Sequence, residues 1–140
     1  MKKSPFNIGN IELKVVNPHT GLVGPYGYIE HINFEIRNTE TKELIANYHI
    51  FKAQFEDGRE CFVVWDSVTQ ATVFQHCDNN NWTNAVTEFV DLVIGALSDV
   101  LSEADLFATI AIGAVIIVVL VDLIVPMDPV PVLPFRIQVA

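Results

Sequence analysis

Residues 106–125 read LFATIAIGAVIIVVLVDLIV, and this apolar stretch sets the organisation of the whole chain. Fourteen of its twenty residues are Leu, Ile, Val or Phe, and Asp122 is its one charged residue. A helix of about 20 apolar residues covers the roughly 30 Å of a bilayer's hydrocarbon core. The stretch therefore predicts a helix that either spans a membrane or is buried within a fold or an assembly.

If this helix spans a bilayer, its large apolar side chains contact lipid. These are Leu106, Phe107, Ile110, Ile112, Val115, Ile116, Ile117, Val118, Val119, Leu120, Val121, Leu123 and Ile124. On an insertion scale the apolar residues favour transfer by roughly 4 to 8 kcal/mol, while a central Asp122 would oppose it by about 2.5 to 3.5 kcal/mol. Insertion is therefore favoured, although the many β-branched residues also suit a buried core helix.

Upstream, residues 84–100 predict an acidic amphipathic helix, because Glu88, Asp91 and Gly95 fall on one stripe while apolar residues fill the other faces. Ser102, followed by two acids, predicts the start of a second helix, and Pro126 ends it. An acidic helix followed by a very apolar one is similar in outline to the helical hairpins of acid-triggered pore-forming domains. In such a hairpin, protonation of carboxylates lowers the free-energy cost of insertion.

The candidate switch carboxylates are Glu88, Asp91, Asp99, Glu103, Asp105 and Asp122. The alternative interpretation places the first five of them on a solvated helix face.

The N-terminal part has the patterning of an antiparallel β-sheet. Alternation of apolar and polar residues predicts strands at 11–16 and 28–37, with further strands at 44–55 and 61–65. Asp57-Gly58 predicts a two-residue type I′ turn between the last two strands. The segment after Asp66 fits either a short helix or a fifth strand. The expected fold class is α+β, with a small antiparallel β-meander or sandwich followed by two helices.

Composition divides the chain into four segments. Residues 1–80 form the β domain, 81–102 the acidic amphipathic helix, 103–126 the apolar helix and 127–140 a proline-rich extended tail. The last six residues could form a short strand. If that strand pairs with the β domain, the apolar helix cannot simply span a membrane, because both of its ends would lie on one side.

The charge distribution restricts the partners. The chain carries a net charge of −9, and residues 60–135 contain no Lys or Arg. Nucleic acid is excluded as an expected partner, because a protein that binds phosphates needs clustered cations. Docking on an anionic leaflet is disfavoured for the same reason.

One polar constellation follows from the predicted turn. A two-residue loop at Asp57-Gly58 would place His49 opposite Asp66, with His31 opposite or diagonal to His49 on the next strand. These three residues are the candidate metal ligands, although a polar rim of a packed sheet is the simpler interpretation. No catalytic residues or cofactor are predicted, and Cys61 and Cys77 are expected to be reduced thiols.

These features favour a non-enzymatic, membrane-anchored binding or assembly module, whose cytoplasmic β domain meets a protein partner or a second copy. One alternative is a pore-forming, toxin-like protein that inserts residues 84–125. Another is a soluble structural subunit that buries the apolar helix in an oligomer. In both alternatives the chain is soluble before insertion or assembly.

Overall fold

A computed structural model describes residues 5–77, 82–98, 100 and 106–131, and places one antiparallel sheet against two helices. Six strands follow one another across the sheet in chain order, which confirms the predicted α+β class and the meander. They are β1 (Phe6–Ile8), β2 (Ile11–Leu22), β3 (Tyr28–Asn38), β4 (Leu44–Gln54), β5 (Glu60–Asp66) and β6 (Ala71–Cys77). The segment after Asp66 is thus a strand, and β1 lies outside the strands predicted from sequence.

The two faces of the sheet are set by the period-2 alternation of the strands. On β3 and β4, alternate residues such as Phe34 and Ile50 face the helices and are buried. The intervening residues, among them His49 and Phe51, face the other side. The sheet therefore carries an apolar cluster on each face, and we call the one opposite the helices, which contains Phe51, Val63 and Trp65, the second apolar cluster.

The turn between β4 and β5 differs from the prediction. Its loop has three residues, because Phe55 and Arg59 pair through a 2.9 Å hydrogen bond and the Gly58 amide donates to the Phe55 carbonyl. Gly58 has a φ of 87°, which fits a turn followed by a left-handed glycine. This register pairs His49 with Trp65 and Tyr48 with Asp66. A one-residue slip reverses the face of every β5 side chain relative to β4, so the predicted pairing of His49 with Asp66 is wrong.

Both helices pack on one face of the sheet. α1 spans Trp82–Ala96, and α2 spans Leu106–Val119 and continues as a π-helical turn, Leu120–Ile124. In that turn the Val125 amide donates to the Leu120 carbonyl at 3.0 Å. The predicted bend near Ser102 lies outside the described residues.

The larger core lies between the helices and the sheet. It joins α1 residues such as Phe89 and α2 residues such as Ile116 to the strand residues Leu13, Phe34 and Ile50. Phe89 makes an edge contact with Tyr48, with ring centroids 5.4 Å apart. The helices therefore share a continuous hydrophobic core with the β meander.

After α2 the chain returns to the sheet. Val130–Pro131 forms a short strand, β7, that runs parallel to β4 and pairs with Ala53 and Gln54. This pairing falls in the predicted extended segment. The predicted strand at residues 135–140 lies beyond the described part of the chain.

Candidate functional site

α2 is apolar on all sides, but the fold buries only one of its faces. Ile112, Ile116, Val119 and Leu120 have no exposed surface and belong to the core shared with the sheet. The opposite side is exposed along its whole length, and Phe107 is 88% exposed. We call this surface the outward stripe, and it consists of Phe107, Ile110, Ala114, Ile117, Val118, Val121 and Val125. Large exposed apolar surfaces are typical of interaction sites, so the outward stripe is the candidate functional surface.

The residues predicted to contact lipid divide between these two faces. On the outward stripe lie Phe107, Ile110, Ile117, Val118 and Val121. Buried against the sheet or α1 lie Ile112, Ile116, Val119, Leu120 and Ile124. Val115 and Leu123 are half-buried, and Leu106 begins α2. The sequence could not separate the faces, because both are aliphatic.

A buried lysine joins β4 to the C-terminal end of the helical segment. Lys52 is 6% exposed, and its Nζ donates a 2.5 Å hydrogen bond to the Val125 carbonyl. The same ammonium lies 4.9 Å from the centre of the Trp82 ring on α1. Desolvation lowers the pKa of Lys52, while the nearby carboxylates of Glu60 and Asp128 act in the opposite direction. A cation at this position also complements the negative end of the helix dipole.

A groove of about 440 Å³ runs between the two helices beside the outward stripe. Its lining combines α1 residues with stripe residues, namely Trp82, Thr83, Val86, Thr87, Ile117, Val121 and Val125. The groove extends the apolar surface of the stripe toward α1. The lining of the groove carries no ionised side chain, so the groove has the chemistry to accept hydrocarbon.

The candidate switch carboxylates lie on exposed positions where the structure describes them. Glu88 and Asp91 are exposed on α1, and Asp122 is exposed in the π-helical turn. Glu88 contacts the His76 ring of β6 at 3.0 Å. Asp99, Glu103 and Asp105 fall outside the described residues. The switch role of these acids stays a prediction.

Three histidines lie side by side on the face of the sheet opposite the helices. The His19 and His31 ring centroids are 4.4 Å apart, and those of His31 and His49 are 5.1 Å apart. His49 in turn lies 5.5 Å from Trp65. We call His19, His31 and His49 the histidine row. His31 lies diagonal to His49, as the sequence suggested, because Asn33 is the residue directly opposite His49.

His19 was missed because the predicted strand ends at residue 16, before Asn17-Pro18. In the structure β2 continues through an irregularity between Val16 and His19, and pairs His19 with His31. A β-bulge of this kind leaves only a weak local signal in sequence.

The metal interpretation gains no support from this geometry. Asp66 turns to the backbone, where its carboxylate accepts hydrogen bonds from the amides of Asn47 and Val68, each at 3.0 Å, and from the Thr69 hydroxyl. Across the parts of the chain that the structure covers, no three His, Cys, Asp or Glu residues are arranged to hold a metal ion.

The two cysteines form a disulfide, so the expectation of reduced thiols is wrong for this structure. Cys61 on β5 lies directly opposite Cys77 on β6, and their Cα atoms are 4.0 Å apart. Cys61 is fully buried and packs in the cluster that contains Phe51 and Trp65. Neither sulfur is available as a nucleophile.

Comparisons with known proteins identify no similar protein. A scan against protein-family models, a search of curated proteins and a search of solved structures each found no match. Within the described residues, the helical segment Phe107–Ile124 is long and apolar enough to cross a membrane. A core helix passes the same test, and one third of this window is buried here.

Proposed function

We propose that this chain is a non-enzymatic, membrane-associated assembly module that docks through the outward stripe of α2. The observation that carries the proposal is the exposure of aliphatic and aromatic side chains at helical spacing from Phe107 to Val125. Their burial in hydrocarbon would be favoured by roughly 25 cal/mol per Å² of apolar surface removed from water. The β-sheet on the other side of the helix then faces a protein partner.

The packing of α2 supports docking in the plane of the bilayer. Crossing the bilayer would remove Ile112 and Ile116 from the core and would break the hydrogen bond from Lys52 to Val125. Docking by the stripe leaves all of these contacts in place. It matches the way in which amphipathic helices lie in the membrane interface.

The charge of the chain favours an uncharged surface. The net charge is −9, and the apolar helix is preceded by acids and has no flanking Lys or Arg. An anionic leaflet would therefore repel the module, and a zwitterionic bilayer is the partner that its chemistry fits.

The Cys61–Cys77 disulfide bears on location. Disulfides persist in oxidising compartments and are rare in the cytosol. We therefore place the sheet on the non-cytoplasmic side, in contrast to the cytoplasmic placement expected from the layout of the sequence.

A second copy of the chain is the other candidate occupant of the stripe. Ala114 lies at its centre, with Ile110 and Val118 four residues away on either side and Phe107 and Val121 seven away. This arrangement is symmetric about Ala114, and a small residue at the crossing point lets two antiparallel helices approach closely.

Flotation of the full-length chain with phosphatidylcholine vesicles tests the proposal. Wild-type protein should float with the vesicles, and the double variant Val118→Lys, Val121→Lys should remain in the aqueous fraction. Leu22→Lys is the matched control, because Leu22 is a similarly exposed aliphatic residue at the far end of β2. It should bind as the wild type does.

The same samples separate the two occupants. If the wild-type protein stays in solution as a dimer by light scattering and the double variant is a monomer, the stripe serves self-assembly and not membrane docking. Wild-type protein that is monomeric and does not bind vesicles would overturn both interpretations.

A further inference from the structure

The outer half of the β2–β3 hairpin folds over the sheet as a separate arm. β2 and β3 pair with each other as far as Leu22 and Tyr28, but β3 pairs with β4 only from Ile32 onward. Residues 19–31 therefore leave the edge of β4, and we call them the hairpin arm. Their tip forms a short 3-10 turn at Gly24–Tyr26.

The arm covers the second apolar cluster. Val23 of the arm is fully buried in this cluster, and the Tyr26 ring packs edge-on against Phe51 with centroids 5.1 Å apart. The Tyr26 hydroxyl reaches Thr72 on β6 through a 2.5 Å hydrogen bond. The arm thus closes across β4, β5 and β6, and shields this cluster from water.

The histidine row lies where the arm leaves the sheet. His19 and His31 belong to the two strands of the arm, and His49 belongs to β4 beneath it. His31 is 1% exposed and His49 is 8% exposed. The contact between His31 and His49 is therefore a buried joint between the arm and the sheet.

The hydrogen bonds determine which ring nitrogens carry protons. The Ile29 carbonyl can only accept, so His31 Nδ1 donates to it at 2.9 Å and the neutral ring keeps a lone pair on Nε2. His49 Nδ1 then donates to His31 Nε2 at 3.2 Å. His49 Nε2 is left as a buried acceptor, with no hydrogen-bond partner among the described residues.

Protonation is unfavourable in this joint, although the Ile29 carbonyl and the Asn33 side chain each stabilise a charged His31. A proton on His31 Nε2 would either oppose the N–H of His49 Nδ1 or force the hydrogen of neutral His49 onto its Nε2, which is buried with no hydrogen-bond partner among the described residues. A buried unpaired donor, and even more a buried unpaired charge, costs free energy that opening the arm to water would recover.

The surrounding charges do not remove this cost. His19 from β2 is a second basic group beside His31, and Asp66 from β5 is the nearby carboxylate that favours charged His49. Asp66 is already bonded to the backbone amides of Asn47 and Val68. Burial lowers the pKa of His31, and burial together with His31 lowers the pKa of His49 to about 4.

We propose that the histidine row is an acid-sensitive latch, which holds the hairpin arm closed over the second apolar cluster at neutral pH and releases it in acid. The released cluster exposes Phe51, Val63 and Trp65 as a second apolar surface. This latch is independent of the outward stripe, which lies on the other side of the sheet.

The direction of the effect follows from proton linkage. The closed arm binds fewer protons than the open arm between pH 6.5 and about 4, so closure is favoured above pH 6.5 and weakens as the pH falls through this window. His49 alone would raise the opening equilibrium constant about 20-fold between pH 7 and pH 5.

Acrylamide quenching of Trp65 tests the latch in the full-length chain. Trp65 and Trp82 are the two tryptophans, so Trp82→Phe leaves Trp65 as the reporter beneath the arm. The quenching constant should rise several-fold from pH 7 to pH 5 while the far-ultraviolet circular dichroism of the sheet is unchanged. His49→Gln in this background should reduce the rise strongly, because glutamine does not bind a proton and only the contribution of His31 remains.

His76→Gln is the matched control, because His76 lies on the helix-facing side beside Glu88. It should retain the wild-type profile. Deuterium uptake tests the latch without substitutions. After correction for intrinsic exchange, uptake by residues 19–31 relative to residues 32–38 of the wild-type chain should rise from pH 7 to pH 5. No rise in quenching or uptake, an equal rise in His49→Gln, or a rise that coincides with loss of the sheet signal would overturn the latch.

Discussion

The Lys52 ammonium donates a 2.5 Å hydrogen bond to the Val125 carbonyl, and so joins the centre of the sheet to the end of the apolar helical segment. The two residues are far apart in sequence, and the lysine is almost completely buried. A buried cation that satisfies a carbonyl at a helix end stabilises the packing of that end. This contact indicates that α2 is part of the fold.

Replacing this ammonium should destabilise the fold. Lys52→Met keeps the aliphatic stem but leaves the Val125 carbonyl without its donor, so the free energy of unfolding should fall by about 1 to 2 kcal/mol. Urea denaturation at pH 7 measures it. Lys14→Met, at an exposed position on β2, should change stability by less than about 0.5 kcal/mol. An increase in stability for Lys52→Met would mean that the cost of desolvating the charge exceeds the value of its bond.

Adjacent residues on α2 provide a test of its orientation. Ile116 is fully buried and Ile117 is 45% exposed, although both are isoleucines in one helical turn. Ile116→Ala should lower the free energy of unfolding by about 2 to 5 kcal/mol through loss of packing and formation of a cavity. Ile117→Ala should lower it by less than about 1 kcal/mol. Equal effects in denaturant titrations would contradict the packing of α2 on the sheet.

The tip of the hairpin arm depends on a glycine. Gly24 has a φ of 44°, and a Cβ there would lie closer than 3.0 Å to three carbons of the Trp65 ring. Gly24→Ala should therefore destabilise the protein by about 2 to 4 kcal/mol, through overpacking and backbone strain. Gly95→Ala in α1 is the opposite case, because its Cβ meets nothing within 4 Å. That change should raise stability by about 0.5 to 1 kcal/mol. Thermal unfolding of both variants checks the contrast.

The disulfide should contribute a measurable share of stability. Cys61 and Cys77 are separated by 16 positions, and closing a loop of that size restricts the unfolded chain by about 3 kcal/mol. The double variant Cys61→Ala, Cys77→Ala should lose about 2 to 4 kcal/mol in urea. Dithiothreitol should destabilise the wild type by a similar amount and leave the double variant unaffected. An equal effect of the reductant on both proteins would count against the bond.

The sequence predicted the elements that have a strong period. The alternation in residues 28–37 predicted β3, and the apolar run predicted α2, because both signals are carried by many residues. Asp57-Gly58 indicated a turn but not its length, since a three-residue loop with glycine in the left-handed region uses the same residues as a two-residue loop. The one extra loop residue shifts the β4–β5 register, so Asp66 lies opposite Tyr48 and not opposite His49.

The candidate sites depended on contacts that local sequence does not encode. The outward stripe and the buried face of α2 have the same composition, so only packing against the sheet distinguishes Ile116 from Ile117. His19 joined the histidine row through a β-bulge. Predicting the disulfide requires the β5–β6 register. The sequence could not give this register, because the segment after Asp66 fitted either a helix or a strand.

The parallel pairing of β7 with β4 has a consequence for the order of folding. The hairpin arm leaves the edge of β4 unpaired near Ala53, and Val130 fills that edge from a distant part of the chain. Contacts between distant residues form slowly, whereas the β meander is built from neighbours in sequence. A nascent chain would thus hold an incomplete sheet with an open strand edge and an uncovered apolar face until the residues beyond α2 have been synthesised. In this period the chain would be most prone to aggregation and most dependent on a chaperone or a nearby bilayer.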